Sequence, residues 1–211
     1  MSHFFNPDAP IMRALSFLFD CLVISLLFIL CCLPVFTIGA ALSALYCCAV
    51  LLIGGDGADA RDFFRAFGRS FKKATLPWLL ALVVLALLSW DLRLIQAIPS
   101  SLQQLLMLVS ALCMFFCLVL TGVSLFPLIS RHPAVPLRKL LPRSFFLSIL
   151  NLPRAGLVVL LLFTPVILLF AAPVIFSSIG IFFVFFWPAL TACVQAKLLN
   201  AAFESELEKS K

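Results

Sequence analysis

Long apolar runs separated by short polar clusters fill this chain, and their spacing matches a bilayer rather than a soluble core. A helix needs about 20 mostly apolar residues to cross about 30 Å of hydrocarbon. Read with that ruler, the runs predict six spans, at about 15–33, 35–53, 76–98, 102–128, 155–175 and 177–197. Leu33-Pro34 divides the first from the second, because proline lacks a donor and disfavours helix in the residue before it. Ile98-Pro99-Ser100-Ser101 parts the third from the fourth. The fifth and sixth meet less cleanly at Phe176-Ser177-Ser178, so one long kinked helix, giving five spans in all, is the competing reading. The predicted fold class is all-α: a single polytopic transmembrane bundle of three hairpins.

Two polar stretches keep a helical period. In 59–73, Phe64, Phe67 and Phe71 fall on one face, and Arg61, Arg65, Arg69 and Lys72, with Lys73 beside them, on another. Asp59 suits an N-cap with Asp62 three positions on. The stretch 137–150 repeats the design, with Arg138, Lys139 and Arg143 beside Leu140, Leu141, Phe145 and Phe146. Both are expected to lie flat in the cytoplasmic interface, rings in the acyl boundary and cations among headgroups. Arg69-Ser70-Phe71 aligns with Arg143-Ser144-Phe145, each followed by a Leu-Pro step and a span, which suggests a repeated unit. Beyond headgroups, these eight cations are candidate contacts for a cytoplasmic partner.

Composition agrees with the pattern: 64% of residues are hydrophobic, 11% are charged, and the mean hydropathy is +1.21. With six spans and both termini inside, every one of the 15 basic residues except Arg93 falls on the cytoplasmic side, as the positive-inside rule requires. Topology and anionic headgroups therefore account for the +6 net charge, and the lipid bilayer rather than nucleic acid is the expected partner. Residues 198–211 read as a cytoplasmic tail. No cleaved leader is expected, since Asp20 interrupts the first apolar run and no A-x-A site follows it.

All eight cysteines lie in predicted spans, no C-x-x-C occurs, and His3 and His132 are far apart, so neither a metal nor a cofactor site is expected. An ionisable residue inside a span is a functional candidate by default. Asp20 is one, and with Thr37, Ser43 and the sole tyrosine, Tyr46, it forms a candidate intramembrane polar cluster. For Asp20 itself, structural pairing with a cytoplasmic-side cation such as Arg13 is the first reading and a proton or substrate role the second. Gly39, Ala40, Ala41 and Ala44 give the second span a small-residue face fit for the centre of the bundle. No H-E-x-x-H, Gly-x-Ser-x-Gly or Walker A motif occurs, and catalysis is not expected.

Several motifs occur in order: Phe5-Asn6-Pro7-Asp8-x-Pro10-x-x-Arg13-x-Leu15, Leu33-Pro34-Val35-Phe36-Thr37-Ile38-Gly39-Ala40, Ala44-Leu45-Tyr46, Arg61-Asp62-Phe63-Phe64-Arg65-x-Phe67 and Phe71-Lys72-x-Ala74-Thr75. Together they resemble the YesL-like family of bacterial integral membrane proteins of unknown function. The resemblance implies a multi-pass plasma-membrane protein, an accessory associated with carbohydrate ABC importer subunits, with no catalytic residues to carry over. Family members commonly have Asn and Trp in the first span and an acidic loop after the second. This chain has Ser25, Phe28 and Gly54-Gly55-Asp56-Gly57 there. A permease in its own right is the alternative function, and an intramembrane enzyme a more distant one.

Overall fold

The computed structural model describes residues 10–95, 101–131, 135–171, 180 and 185–198. Among them the helices are α1 (Pro10–Cys32), α2 (Ile38–Gly54), α3 (Ala60–Ile95), α4 (Ser101–Arg131), α5 (Leu137–Leu150) and α6 (Leu152–Ala171), then α7 (residues 185–198). The predicted join of the fifth and sixth spans at 176–178, the motif before Pro10 and the tail beyond residue 198 lie outside the described residues.

Local chemistry sets the ends of α2. Pro34 ends the helical run, and a 3-10 turn over Val35–Thr37 reverses the chain. The Thr37 hydroxyl lies within hydrogen-bonding distance of the carbonyls of Cys31 and Pro34, which the break leaves open, and shares its one hydrogen between them. At the other end Gly55 takes the left-handed conformation (φ 84°) that a side chain resists. Its N–H bonds Leu52 O and that of Asp56 bonds Leu51 O, the paired pattern of a Schellman stop. Asp59 then opens α3 as its sequence position suggests: its carbonyl accepts from Asp62 and Phe63, and the Asp62 carboxylate accepts from Asp59 N–H.

Between these ends α2 is the most enclosed element. Of its span 61% is buried, against 17% for α1 and 11% and 6% for the most apolar stretches of α3 and α4. Its small residues let α3 approach closely. A Cβ on Gly39 would sit 2.5 Å from the carbonyl oxygen of Ala74 and 2.7 Å from Trp78 Cβ. Ala40, Ala41, Ser43 and Ala44 are all buried at or near zero exposure. Trp78 ties the same level to the α1–α2 turn by donating from Nε1 to Val35 O at 2.7 Å, and its ring packs on Phe126 of α4.

The stretch 59–73 departs from its expected role. It is not a separate interfacial helix but the first part of α3, which runs unbroken through Pro77 for 36 residues, about 54 Å. Its inward face is Phe63, Ala66, Ser70 and Ala74, all buried, rather than the Phe64, Phe67 and Phe71 face, and what covers it is protein, chiefly α2. Phe64 is the ring left exposed. A helical repeat with inward positions at i, i+3, i+7 and i+11 fits both frames; the adjacent small face of α2 selects the one starting at Phe63.

The 137–150 helix does occur, within those bounds, and meets α6 at Asn151 with a 97° bend. The likeness between the two basic segments therefore does not extend to their geometry, since one continues straight into its span and the other turns sharply before it.

Past Trp78, α3 continues for residues 79–95, about 25 Å, beside the first half of α4. Leu80, Val83, Leu87 and Trp90 there, and Leu102, Leu106 and Leu112 opposite, are exposed. Four described helices are long and apolar enough to cross a membrane, and the bent α5–α6 pair would make a fifth. Among the described residues the chain is thus all-helical, with the apolar helices of a membrane protein.

The last described helix closes the bundle. The Ser25 hydroxyl accepts from Ala189 N–H at 3.3 Å, and the thiols of Cys21 and Cys193 are hydrogen-bonded. Moving four residues forward on α1 therefore moves four back on α7, so the two are antiparallel. Trp187 Nε1 donates to Leu161 O, while Ala155 and Val158 share a cavity with Gln195 and Leu198, so α6 and α7 are antiparallel too.

Replacing Gly39 by Ala should destabilise the protein by about 1–3 kcal/mol, the usual effect of overpacking a backbone contact. Gly68→Ala, whose Cβ meets open space, should not. Thermal unfolding in detergent, comparing the two variants with wild type, reads the difference.

Candidate functional site

The four polar residues singled out in the first two spans do not come together. Ala58 N–H donates to the Asp20 carboxylate, and Gly57, at φ 69°, brings the loop within 3.6 Å of it, measured from an ideal Cβ on Gly57 to Asp20 Oδ2. Asp20 thus holds the α2–α3 connection through a backbone amide; the side chain of Arg13, the cation expected to pair with it, lies outside the described residues. Thr37 caps the opposite end of α2, some 17 helical residues or about 26 Å away. Ser43 lies between, fully buried, its hydroxyl without a hydrogen-bond partner. Tyr46 is buried in the hydrophobic core. With Asp20 and Thr37 at opposite ends of α2 and Tyr46 in the hydrophobic core, the four do not form one compact cluster.

The basic candidates divide by environment. Arg61, Arg65, Arg69 and Lys72 recur at i, i+4, i+8 and i+11 and are all exposed, on the side of α3 away from its buried face. Lys73 turns inward enough to donate to Val135 O at 3.3 Å, tying α3 to the segment before α5. Arg138, Lys139 and Arg143 are exposed on α5, whose Leu140, Ser144, Leu147 and Ser148 are buried. Exposed Phe146, Ile149 and Leu150 occupy the second half of that helix.

A polar site forms elsewhere, where α4, α5, α6 and α7 meet. Ser148 donates to Leu120 O at 2.7 Å; its single hydrogen is then used, so Ser124, 2.6 Å away, donates to it. Gln195 Nε2 donates to Val123 O. Arg154 Nη1 donates to Asn151 Oδ1 at 3.2 Å, and Asn151 Nδ2 donates to Leu147 O. These side chains line a cavity of about 30 Å³, room for a water or a single ligand oxygen. Among the described residues no carboxylate lines it, and the cation there is Arg154.

Sequence reasoning passed over this site because its members come from four elements. One signal was present: Ser144 and Ser148 share the face of a helix whose cations point elsewhere, which marks that face as protein-covered. Among the described residues no group of three or more His, Cys, Asp or Glu side chains is placed to hold a metal.

With this geometry in view, comparison with known proteins adds one finding. Residues 21–92, from within α1 to near the end of α3, match a family described as "Protein of unknown function, DUF624". That is the stretch carrying most of the motifs behind the YesL-like resemblance. No curated protein and no solved structure matches the chain.

Asp20→Leu, which removes the acceptor of Ala58 N–H, should cost about 1–3 kcal/mol of stability. Asp20→Asn keeps an acceptor oxygen and should cost less. Thermal unfolding of both variants checks the order, and equal losses would assign the role to the charge instead.

Proposed function

We propose that this protein is a non-catalytic, multi-pass component of the bacterial plasma membrane that associates with a carbohydrate ABC importer through its cytoplasmic basic face. The observation that carries the reading is the exposed row Arg61, Arg65, Arg69 and Lys72. The buried face of this segment, Phe63, Ala66, Ser70 and Ala74, packs chiefly on α2, which turns the cations away from the bundle. A rigid, continuous helix presenting regularly spaced cations suits an acidic surface on a cytoplasmic partner. The link to sugar import comes from the family resemblance alone.

The accompanying topology is six spans with both termini cytoplasmic. It is supported by α7 running antiparallel to α1 and to α6, since a single kinked span replacing the fifth and sixth would run α7 parallel to both. The charge distribution points the same way.

Detergent pull-down at native expression should recover permease or ATPase subunits with the wild-type protein. It should lose them when Arg61, Arg65 and Arg69 are changed together to Glu. Recovery of no importer subunit by wild type would count against the association, and sugar flux through liposomes holding the protein alone would favour a permease. For topology, a fluorescent protein fused after Lys211 should fluoresce and alkaline phosphatase fused there should be inactive; the opposite pair of results means five spans.

A further inference from the structure

An apolar groove lies next to the cavity at the α4–α7 junction, lined by neighbouring residues of α4 and α6. The groove, about 180 Å³, runs between α4 and α6 and is lined by Phe115, Phe116, Val119, Leu152, Gly156 and Phe163. Gly156 contributes to its width, because a Cβ there would meet nothing within 4 Å. The linings are linked through Leu120, which lines the groove while its carbonyl accepts the Ser148 hydroxyl of the cavity, and through the step from Asn151, in the cavity wall, to Leu152, in the groove wall.

What the polar end has left to offer decides the ligand. The hydrogens of Ser124 and Ser148 are committed within the protein. Gln195, 2% exposed, has spent one amide hydrogen on Val123 O and keeps a second. Arg154 carries five N–H donors, one of them directed at Asn151. Donors and a positive charge without a carboxylate favour an oxyanion, and a guanidinium fork matches phosphate. A cavity of about 30 Å³ admits one phosphate oxygen and not a whole headgroup, so the phosphate must be presented from outside by a molecule seated in the groove.

The geometry points to a binding site for an anionic phospholipid, its phosphate on Arg154 and Gln195 and an acyl chain in the α4–α6 groove. Arg154 falls on the cytoplasmic side of the proposed topology, where basic pockets between transmembrane helices hold anionic headgroups. The site does not depend on the importer association, and its test uses no partner.

Native mass spectrometry of the full chain, delipidated and then incubated with phosphatidylglycerol or phosphatidylcholine, reads the binding. Wild type should retain phosphatidylglycerol in preference to phosphatidylcholine. Arg154→Ala should reduce that retention about fivefold, as expected for one basic residue at an anionic surface, with Arg154→Lys restoring part of it. Gly156→Leu should reduce retention by filling the groove while leaving Arg154 in place. Arg93→Ala, an exposed cation near the end of α3, should change nothing, and unfolding midpoints verify that each variant is folded. Equal retention of the two lipids overturns the proposal, as does unchanged retention in folded Arg154→Ala or Gly156→Leu. Displacement of the lipid by inorganic phosphate alone also overturns it, since the site would then serve the free anion.

Discussion

The close approach of α2 to α3 is the contact on which the rest of the arrangement depends. In lipid there is no hydrophobic drive to bring helices together, so association rests on van der Waals packing and a few hydrogen bonds. Gly39 lets its backbone meet that of Ala74, and the small residues after it allow the contact to continue toward the α2–α3 turn, where Phe63 is buried without exposed area. Once that face of α3 is spent on protein, its cations must point outward. Trp78 sits at the same level and joins three elements, through its contact with Gly39, its bond to Val35 O and its packing on Phe126.

Polar side chains complete the bundle by satisfying backbone groups more than by meeting one another. Thr37 serves the carbonyls at the α1–α2 break, Asp20 an amide in the α2–α3 loop, Ser25 an amide of α7, Ser148 a carbonyl of α4 and Gln195 the carbonyl of Val123. Each replaces a bond to water that the membrane interior cannot supply. Asp20 and Thr37 serve opposite ends of α2, whereas at the α4–α7 junction donors remain after the internal bonds are counted.

Much of this was legible in the residues. The Leu33-Pro34 break, the Asp59 cap, the small face of α2 and the helix at 137–150 follow from local chemistry, and each occurs where expected. What could not be read was which of two overlapping faces α3 would bury, because Phe63 and Phe64 are neighbours in sequence and both start a valid apolar stripe. Nor did Pro77 reveal that α3 continues through it; a proline within a span is tolerated when packing holds the helix on both sides, and that packing comes from α2 and α4. The polar cavity was hidden for a related reason, as Ser124, Ser148, Arg154 and Gln195 are distant in sequence and meet only after four helices have packed.

The central claim is that the basic segment of α3 is a protein-packed helix with an outward cationic row rather than one lying in lipid. Spin labels placed singly along residues 61–74 in reconstituted protein, with accessibility to oxygen and to a water-soluble relaxant measured at each, test it most directly. Labels at 63, 66, 70 and 74 should be shielded from both reagents, while those at 61, 65, 69 and 72 should be open to the aqueous one. Strong oxygen accessibility at 64, 67 and 71, with 63 and 74 no more shielded than their neighbours, would show the rings in the acyl region and contradict the account.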